Sequence, residues 1–194
     1  MFMILQRLFV WQLIQVKKDR KTVMISLLGS ENLKTYPLEY MAKVVDCIAD
    51  SQDVNILFNY FPKQIKDAKI VFDACKPSTQ EKIYFDLLGN DLRSFIAIMN
   101  NCDLIIGNDG GAINMAKALG KSSFIIFSPW IEKKIWATLE DGLKHISVHL
   151  NDFKPELLTS KTEKELKINA LSLYQEFEPE LFKDKIESFL KQNL

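Results

Sequence analysis

"DLIIGNDGGAINMAKALG", residues 103–120, decides how this chain folds. A short apolar run, Leu104 to Ile106, ends in Gly-Asn-Asp-Gly-Gly. It passes directly into a segment whose apolar residues Ala112, Met115, Ala116 and Leu119 fall at helical spacing, with Gly120 placed to end the helix. A buried strand feeding a helix through a glycine turn is the first half of a strand-helix-strand crossover. The turn itself has two readings. Paired glycines before a helix are ordinary turn chemistry. Equally, a helix opening offers unpaired N–H groups and partial positive charge, and Gly110 and Gly111 carry no side chains to hold a phosphate oxygen away. Asp109 either caps those N–H groups or accepts a hydrogen bond from a ligand. Because a carboxylate repels phosphate, a sugar hydroxyl is the partner that suits it.

The same alternation extends outward on both sides. "TVMISLL" (22–28) reads as a strand buried on both faces and ending at Gly29, and Leu38, Met41, Val45 and Ile48 mark a helix over Tyr36 to Ala49. "VNILF" (54–58) is a strand, "PKQIKDAKIVFDA" from Pro62 a helix, and "KIYFDLL" (82–88) a third strand. "DLRSFIAIMNN" is a helix with Leu92, Phe95, Ile96 and Met99 on one face, and "SSFIIF" (122–127) is a fifth strand after "DLII". Five such units predict an α/β, Rossmann-like parallel sheet with helices on both faces over residues 22–150. Ligands of such sheets bind beyond the carboxyl ends of the strands. Gly29, Asn59, Leu88 and Gly89, Asn108 to Gly111, and Ser128 all fall on that edge.

Composition narrows the class. With 194 residues the chain holds one good core, and 25 basic against 25 acidic side chains leave no electrostatic footprint for nucleic acid. Cys47, Cys75 and Cys102 are odd in number and widely spaced, which suggests reduced, buried thiols rather than disulfides or a zinc site. The leader "MFMILQRLFVWQLIQV" is interrupted by Gln6, Arg7, Gln12 and Gln15, and falls short of the ~20 apolar residues a membrane span needs. Residues 1–21 are therefore assigned to an apolar connector. Beyond Leu150, residues 151–194 read as amphipathic helices, the last striped by Leu181, Phe182, Ile186, Phe189 and Leu190. They either cap the domain or dock on something outside it.

A second candidate element is "LLGSENLKTYP", residues 27–37. Gly29 permits close backbone approach, Ser30 offers a hydroxyl, and Lys34 stands before the helix either as a solvated lysine or as a cation for diphosphate. The Walker pattern G-x-x-x-x-G-K-[ST] is absent. His145 and His149 share a strand face, but spacing brings them no carboxylate or thiol as a third metal ligand. Trp130 and Trp136 follow the fifth strand, where an aromatic ring either stacks on a base or sugar or anchors its loop. Lys133 and Lys134 read as solvated surface.

Together, "GSENLKTYPLEYMAKVVD", "GNDLRSFIAIMNNCDLIIGNDGGAINMAKALG" and "SFIIFSPW" resemble, in order, the carboxyl-terminal half of heptosyltransferase-type (family 9) glycosyltransferases of the GT-B fold. That resemblance covers about residues 22–130. It implies that Gly29, Ser30 and Lys34 hold the diphosphate of a nucleotide-sugar donor, for which an ADP-linked sugar is one candidate. It further implies that Asp109 contacts the transferred sugar, that Gly110 and Gly111 give N–H groups to phosphate, and that Gln64 and Asn90 meet the nucleoside. Lys34 and Asp109 are the residues it places at the chemistry. The family's motif runs D-S-G-x-x-H; here Gly110 replaces the Ser and Asn114 the His, so a hydroxyl and a titratable imidazole are lost. The resemblance also implies no cofactor or metal, transfer with inversion, and a cytoplasmic place, peripheral at a membrane face, in lipopolysaccharide assembly. The glycolipid acceptor and the general base then belong to an amino-terminal domain missing from this chain, which alone is inactive. The leader becomes the interdomain connector, and the last helix the element that crosses back. Two alternatives stand beside this one: a non-catalytic nucleotide-sugar-binding or scaffold protein, and a sugar-nucleotide epimerase of the same architecture.

Overall fold

The structure, a computed structural model, describes residues 16–194; the leader, apart from its last residue and the basic stretch that follows, lies outside the described residues. Six parallel strands form one sheet in the order β3-β2-β1-β4-β5-β6. They are β1 (Lys21–Ser26), β2 (Val54–Asn59), β3 (Ile83–Tyr84), β4 (Leu104–Asn108), β5 (Ser122–Ile126) and β6 (His145–Val148). The helices are α1 (Leu38–Ser51), α2 (Ile65–Ala74), a single turn α3 (Pro77–Gln80), α4 (Leu92–Asn100), α5 (Gly111–Ala118) and a turn α6 (Lys133–Trp136). After β6 come α7 (Glu163–Ile168), α8 (Ala170–Gln175) and α9 (Lys183–Asn193).

Alternation along each strand divides the core in two. Val23, Ile25 and Leu27 of the first strand segment, with Ile56, Ile106, Phe124 and Val148, point to a layer made by α1, α2 and the carboxyl-terminal helices. Met24, Leu57, Ile105 and Ile125 point the other way, to Ile98 and Met99 of α4 and Ile113 and Ala116 of α5. Central strands buried on both faces are why these segments read as unbroken apolar runs rather than as alternation.

Two expectations change. The third strand is two residues long rather than seven, because the chain turns at Asp86, whose carbonyl accepts from Leu88 N. Phe85 leaves the sheet to pack on Phe58, Tyr60 and Phe72. Within the segment after Leu150, residues 163–175 form two short helices joined at Asn169. The stripe of the last helix is not free to cross elsewhere: Ile186, Phe189 and Leu190 are buried on the first core layer, and Phe189 packs against Phe124 of β5. Among the described residues, no helix is long and apolar enough to cross a membrane.

Candidate functional site

The two segments singled out in the sequence emerge side by side. β1 and β4 are hydrogen-bonded neighbours, yet the helix after β1 packs on one face of the sheet and the helix after β4 on the other. Chain therefore diverges above their carboxyl ends, which is where doubly wound sheets receive ligands. The loop from Gly29 to Lys34 forms one side of this shelf, and Asp109 to Gly111 the other.

Asn108 fixes both sides. It is fully buried; its Nδ2 donates to the carbonyls of Ser26 (3.1 Å) and Leu27 (2.8 Å), and its Oδ1 accepts from Tyr36 N at 2.7 Å. Ser26 Oγ returns a bond to the Asn108 carbonyl at 2.9 Å. One amide thus holds the start and the end of the Gly29–Lys34 loop. Inside the loop, Asn32–Lys34 makes a single 3-10 turn, and Thr35 Oγ1 accepts from Gly29 N at 3.1 Å while donating to the Glu31 carbonyl at 3.0 Å. Gly29 is required for closure: a Cβ there would stand 2.4 Å from the Lys34 carbonyl oxygen. The space its missing side chain leaves is filled by the loop's own backbone, not by an approaching ligand. Ser30 is exposed at the loop's outer edge.

On the opposite side, Gly110 occupies the capping position of α5 and has no side chain to close it. A Cβ on Gly110 or Gly111 would meet nothing within 4 Å, so the side-chain positions at the opening of α5 face open space. Asp109 is half-buried. Burial pushes its carboxyl above the usual carboxylate range, and the ammonium groups of Lys34 and Lys117 oppose that rise. Lys117, which spacing did not single out, is only 8% exposed and donates to the Thr138 carbonyl at 2.6 Å. Its pKa is pushed down by burial, against the pull of Asp109 and Glu140. The buried face of α5 runs through Ile113, Ala116 and Lys117, with Ala112, Met115 and Leu119 only partly covered, one residue round from the expected stripe. A lysine next to that stripe was the available signal.

Trp130 closes the shelf. Its Nε1 donates to the Leu33 carbonyl at 2.9 Å, and Ser128 Oγ donates to the same oxygen at 2.6 Å, tying the loop after β5 to the Lys34 turn. Lys34 Nζ lies 5.5 Å from the centre of the Trp130 ring. Tyr174 of α8 has a buried hydroxyl with no partner among the described residues; burial pushes its pKa up, with a smaller push from the Asp109 charge. Trp136, by contrast, is 55% exposed on α6.

The remaining candidates separate. Gln64 belongs with the shelf: its Nε2 donates to the Gly29 carbonyl at 3.1 Å and its Oε1 accepts from Phe61 N at 2.9 Å. Asn90 is exposed in the loop before α4, and Asn114 is exposed on α5; neither side chain bonds to a described residue. His145 Nδ1 lies 3.0 Å from Ser123 Oγ. His149 Nδ1 accepts from Asn151 N at 3.1 Å, so its Nε2 carries the proton toward the Ser128 carbonyl at 3.2 Å. Lys133 is not solvated surface: it donates to Asp152 at 2.8 Å and to the Ser147 carbonyl at 3.0 Å. Cys75 and Cys102 are buried free thiols, while Cys47 is only partly covered. Two cavities, of about 570 and 620 Å³, open elsewhere, one between α1 and α9 and one at the amino-terminal edge of the sheet. Neither brings together groups of complementary chemistry as the shelf does.

Known proteins share this fold. The profile of glycosyltransferase family 9 (heptosyltransferase) matches residues 6–167. Among solved structures, ADP-heptose LPS heptosyltransferase II of E. coli superposes with a TM-score of 0.60 at 15% identity, over 87% of this chain and 51% of that one. E. coli heptosyltransferase WaaC with ADP gives 0.58 at 11% identity, over 96% of this chain and 48% of that one. A family 9 glycosyl transferase from Veillonella parvula DSM 2008 gives 0.57 at 15% identity, over 88% and 51%. The chain thus spans about half the length of these structures, which share its fold. No curated protein sequence matches it significantly. A profile match over most of its length places the chain in glycosyltransferase family 9.

Proposed function

We infer that this chain is the donor-binding half of a glycosyltransferase that moves a heptose-like sugar from a nucleotide diphosphate, in the cytoplasm, onto a glycolipid of the cell envelope. One observation carries the reading: Lys34, the uncapped opening of α5 and the half-buried Asp109 converge where β1 and β4 part. A cation and free N–H groups suit the diphosphate; a carboxylate beside them suits a sugar hydroxyl. An ADP-heptose LPS heptosyltransferase and a heptosyltransferase with ADP are among the proteins of this fold, which favours an ADP-linked donor and lipopolysaccharide assembly.

The chemistry follows from those groups. A base on a second Rossmann-like domain takes the proton of an acceptor hydroxyl. The oxygen bonds to the anomeric carbon from the face opposite the diphosphate, and the carbon-oxygen bond to the diphosphate breaks, leaving its electron pair on the departing phosphate oxygen. Lys34 and the N–H groups at Gly110 and Gly111 stabilise that developing charge without a metal or other cofactor. Inversion at the sugar carbon results. The shelf is open toward solvent rather than enclosed, as suits one wall of an interdomain cleft, and the acceptor with its membrane-peripheral setting belongs to the other wall.

Calorimetric titration of the chain with ADP, UDP, GDP and their sugars tests the donor site. Saturable binding of at least one pair, with no transfer to acceptor by this chain alone, is expected. Absence of binding by all of them in a folded sample refutes it.

A further inference from the structure

Trp130 has a second cation. Lys167 of α7 lies with its Nζ 4.5 Å from the centre of the indole that Lys34 approaches to 5.5 Å. Their common ring places the two ammonium nitrogens within roughly 10 Å of each other, inside the range over which cations and one indole interact together. Neither makes an ion pair or a side-chain hydrogen bond with any described residue, although eight other lysines of the chain are in ion pairs. Lys167 is exposed and Lys34 half-buried, so both are within reach of a ligand.

The ring and the helix are held independently of the two lysines. The indole is fixed by its bond to the Leu33 carbonyl and by packing on the second core layer. α7 is held at its start by the reciprocal Thr162 and Glu165 cap, and by Leu166, which packs on the first layer. Lys167 is therefore delivered to the donor edge by a segment that the sequence reads only as a charged helix. Two cations that form no ion pair among the described residues, set over one fixed ring, describe a seat for an anion with more than one charged group.

We propose that Lys167 is a phosphate-binding residue of the donor site, sharing one diphosphate with Lys34 across Trp130. The inference rests on the donor-site reading above and assigns an order within it. Lys34, whose charge bears on Asp109, takes the phosphate next to the sugar. Lys167, brought to the same indole by α7, takes the phosphate next to the nucleoside. Where the family pattern has a titratable histidine this chain has Asn114, and Lys167 brings a cation from the carboxyl-terminal segment.

The test titrates the full chain with ADP and with inorganic pyrophosphate, in wild type and in Lys167→Ala, Lys167→Arg and Lys164→Ala. Lys164 sits on the same short helix and is exposed, so its loss changes net charge equally. Lys167→Ala is expected to weaken both ligands roughly tenfold, the loss typical of one charge-assisted hydrogen bond. Lys167→Arg should retain most of the affinity, and Lys164→Ala nearly all. If wild type binds ADP and Lys167→Ala binds it equally well, or Lys164→Ala costs as much, the inference is overturned while the donor site stands. Binding of pyrophosphate that depends on Lys167, without binding of any nucleotide, upholds the anion seat and overturns the donor reading. Failure of wild type to bind either ligand overturns the inference, and the donor reading falls with it only when UDP, GDP and the nucleotide sugars also fail to bind.

Discussion

Replacing Asn108 by alanine removes three hydrogen bonds at once from a residue with no solvent exposure. Each is worth about 1 kcal/mol net, and the Tyr36 N–H and the Ser26 and Leu27 carbonyls are left in a site that water does not reach, so the change costs about 3 kcal/mol. With a urea m-value of ~2–3 kcal/mol/M for a chain of this size, the unfolding midpoint should fall by about 1 M at unchanged m. Asn101→Ala is the matched control: that amide donates to the Ala97 carbonyl from an exposed helix end, and its loss should move the midpoint by no more than ~0.3 M. Asn108→Asp keeps the acceptor for Tyr36 N but removes both donors and aims a charge at two carbonyls, and should cost at least as much as alanine. A midpoint shift for Asn108→Ala no larger than that of Asn101→Ala would refute the view that this amide joins the two sides of the shelf.

Three further outcomes follow from the site. Lys34→Ala should weaken ADP and its sugar alike by roughly tenfold, whereas Asp109→Ala should cost the sugar nucleotide more than ADP; equal small losses from the latter would make Asp109 a local structural group. Gly29→Ala forces a Cβ onto the Lys34 carbonyl and should lower stability by ~1–3 kcal/mol, while Gly110→Ser enters open space and should change it by less than ~0.5 kcal/mol, both read by thermal unfolding. Because burial raises the Asp109 pKa in the folded chain, folding binds this proton more tightly than the unfolded state does. The stability from that proton is present in full below the unfolded value and is lost as pH rises through the folded one. Asp109→Asn should therefore melt higher than wild type at pH 7, with the difference vanishing below about pH 4, a crossover that scanning calorimetry between pH 3 and 8 would detect or exclude.

The sheet was legible because its strands are buried on both faces, which writes them as unbroken runs such as "TVMISLL" and "DLII" between glycines. Periodicity likewise marked α1 and α4. Edge strand β3 was overread: Phe85 is apolar for the sake of three rings, Phe58, Tyr60 and Phe72, rather than for a place in the strand, and sequence cannot tell the two apart. Within the site, Gly29, Lys34, Asp109 and the glycine pair could be named because loop chemistry and family pattern lie close together in the chain. Asn108, Lys117 and Lys167 could not be given their roles. Their partners lie at positions 26, 27 and 36, at Thr138, and at Trp130, and no local spacing carries that information. The same holds for the last helix, whose stripe looked unpartnered until Phe124 and its neighbours covered it.

Tyr36 gives the carboxyl-terminal segment a second significance. Its backbone N–H is held by Asn108 at the exit of the Lys34 loop, while its hydroxyl donates to the Phe177 carbonyl and its ring packs among Tyr40, Tyr174, Phe177 and Phe182. One residue therefore rivets the loop to helices that start more than 120 positions later in the chain. The Rossmann-like unit cannot be trimmed at its last strand: a version ending near residue 150 would expose this aromatic nest and loosen the loop from one end. For anyone recombining halves of such enzymes, the exchangeable module is not the sheet with its crossover helices alone. It runs on through the final helix, and a junction placed ahead of that helix would cut the site's own foundation.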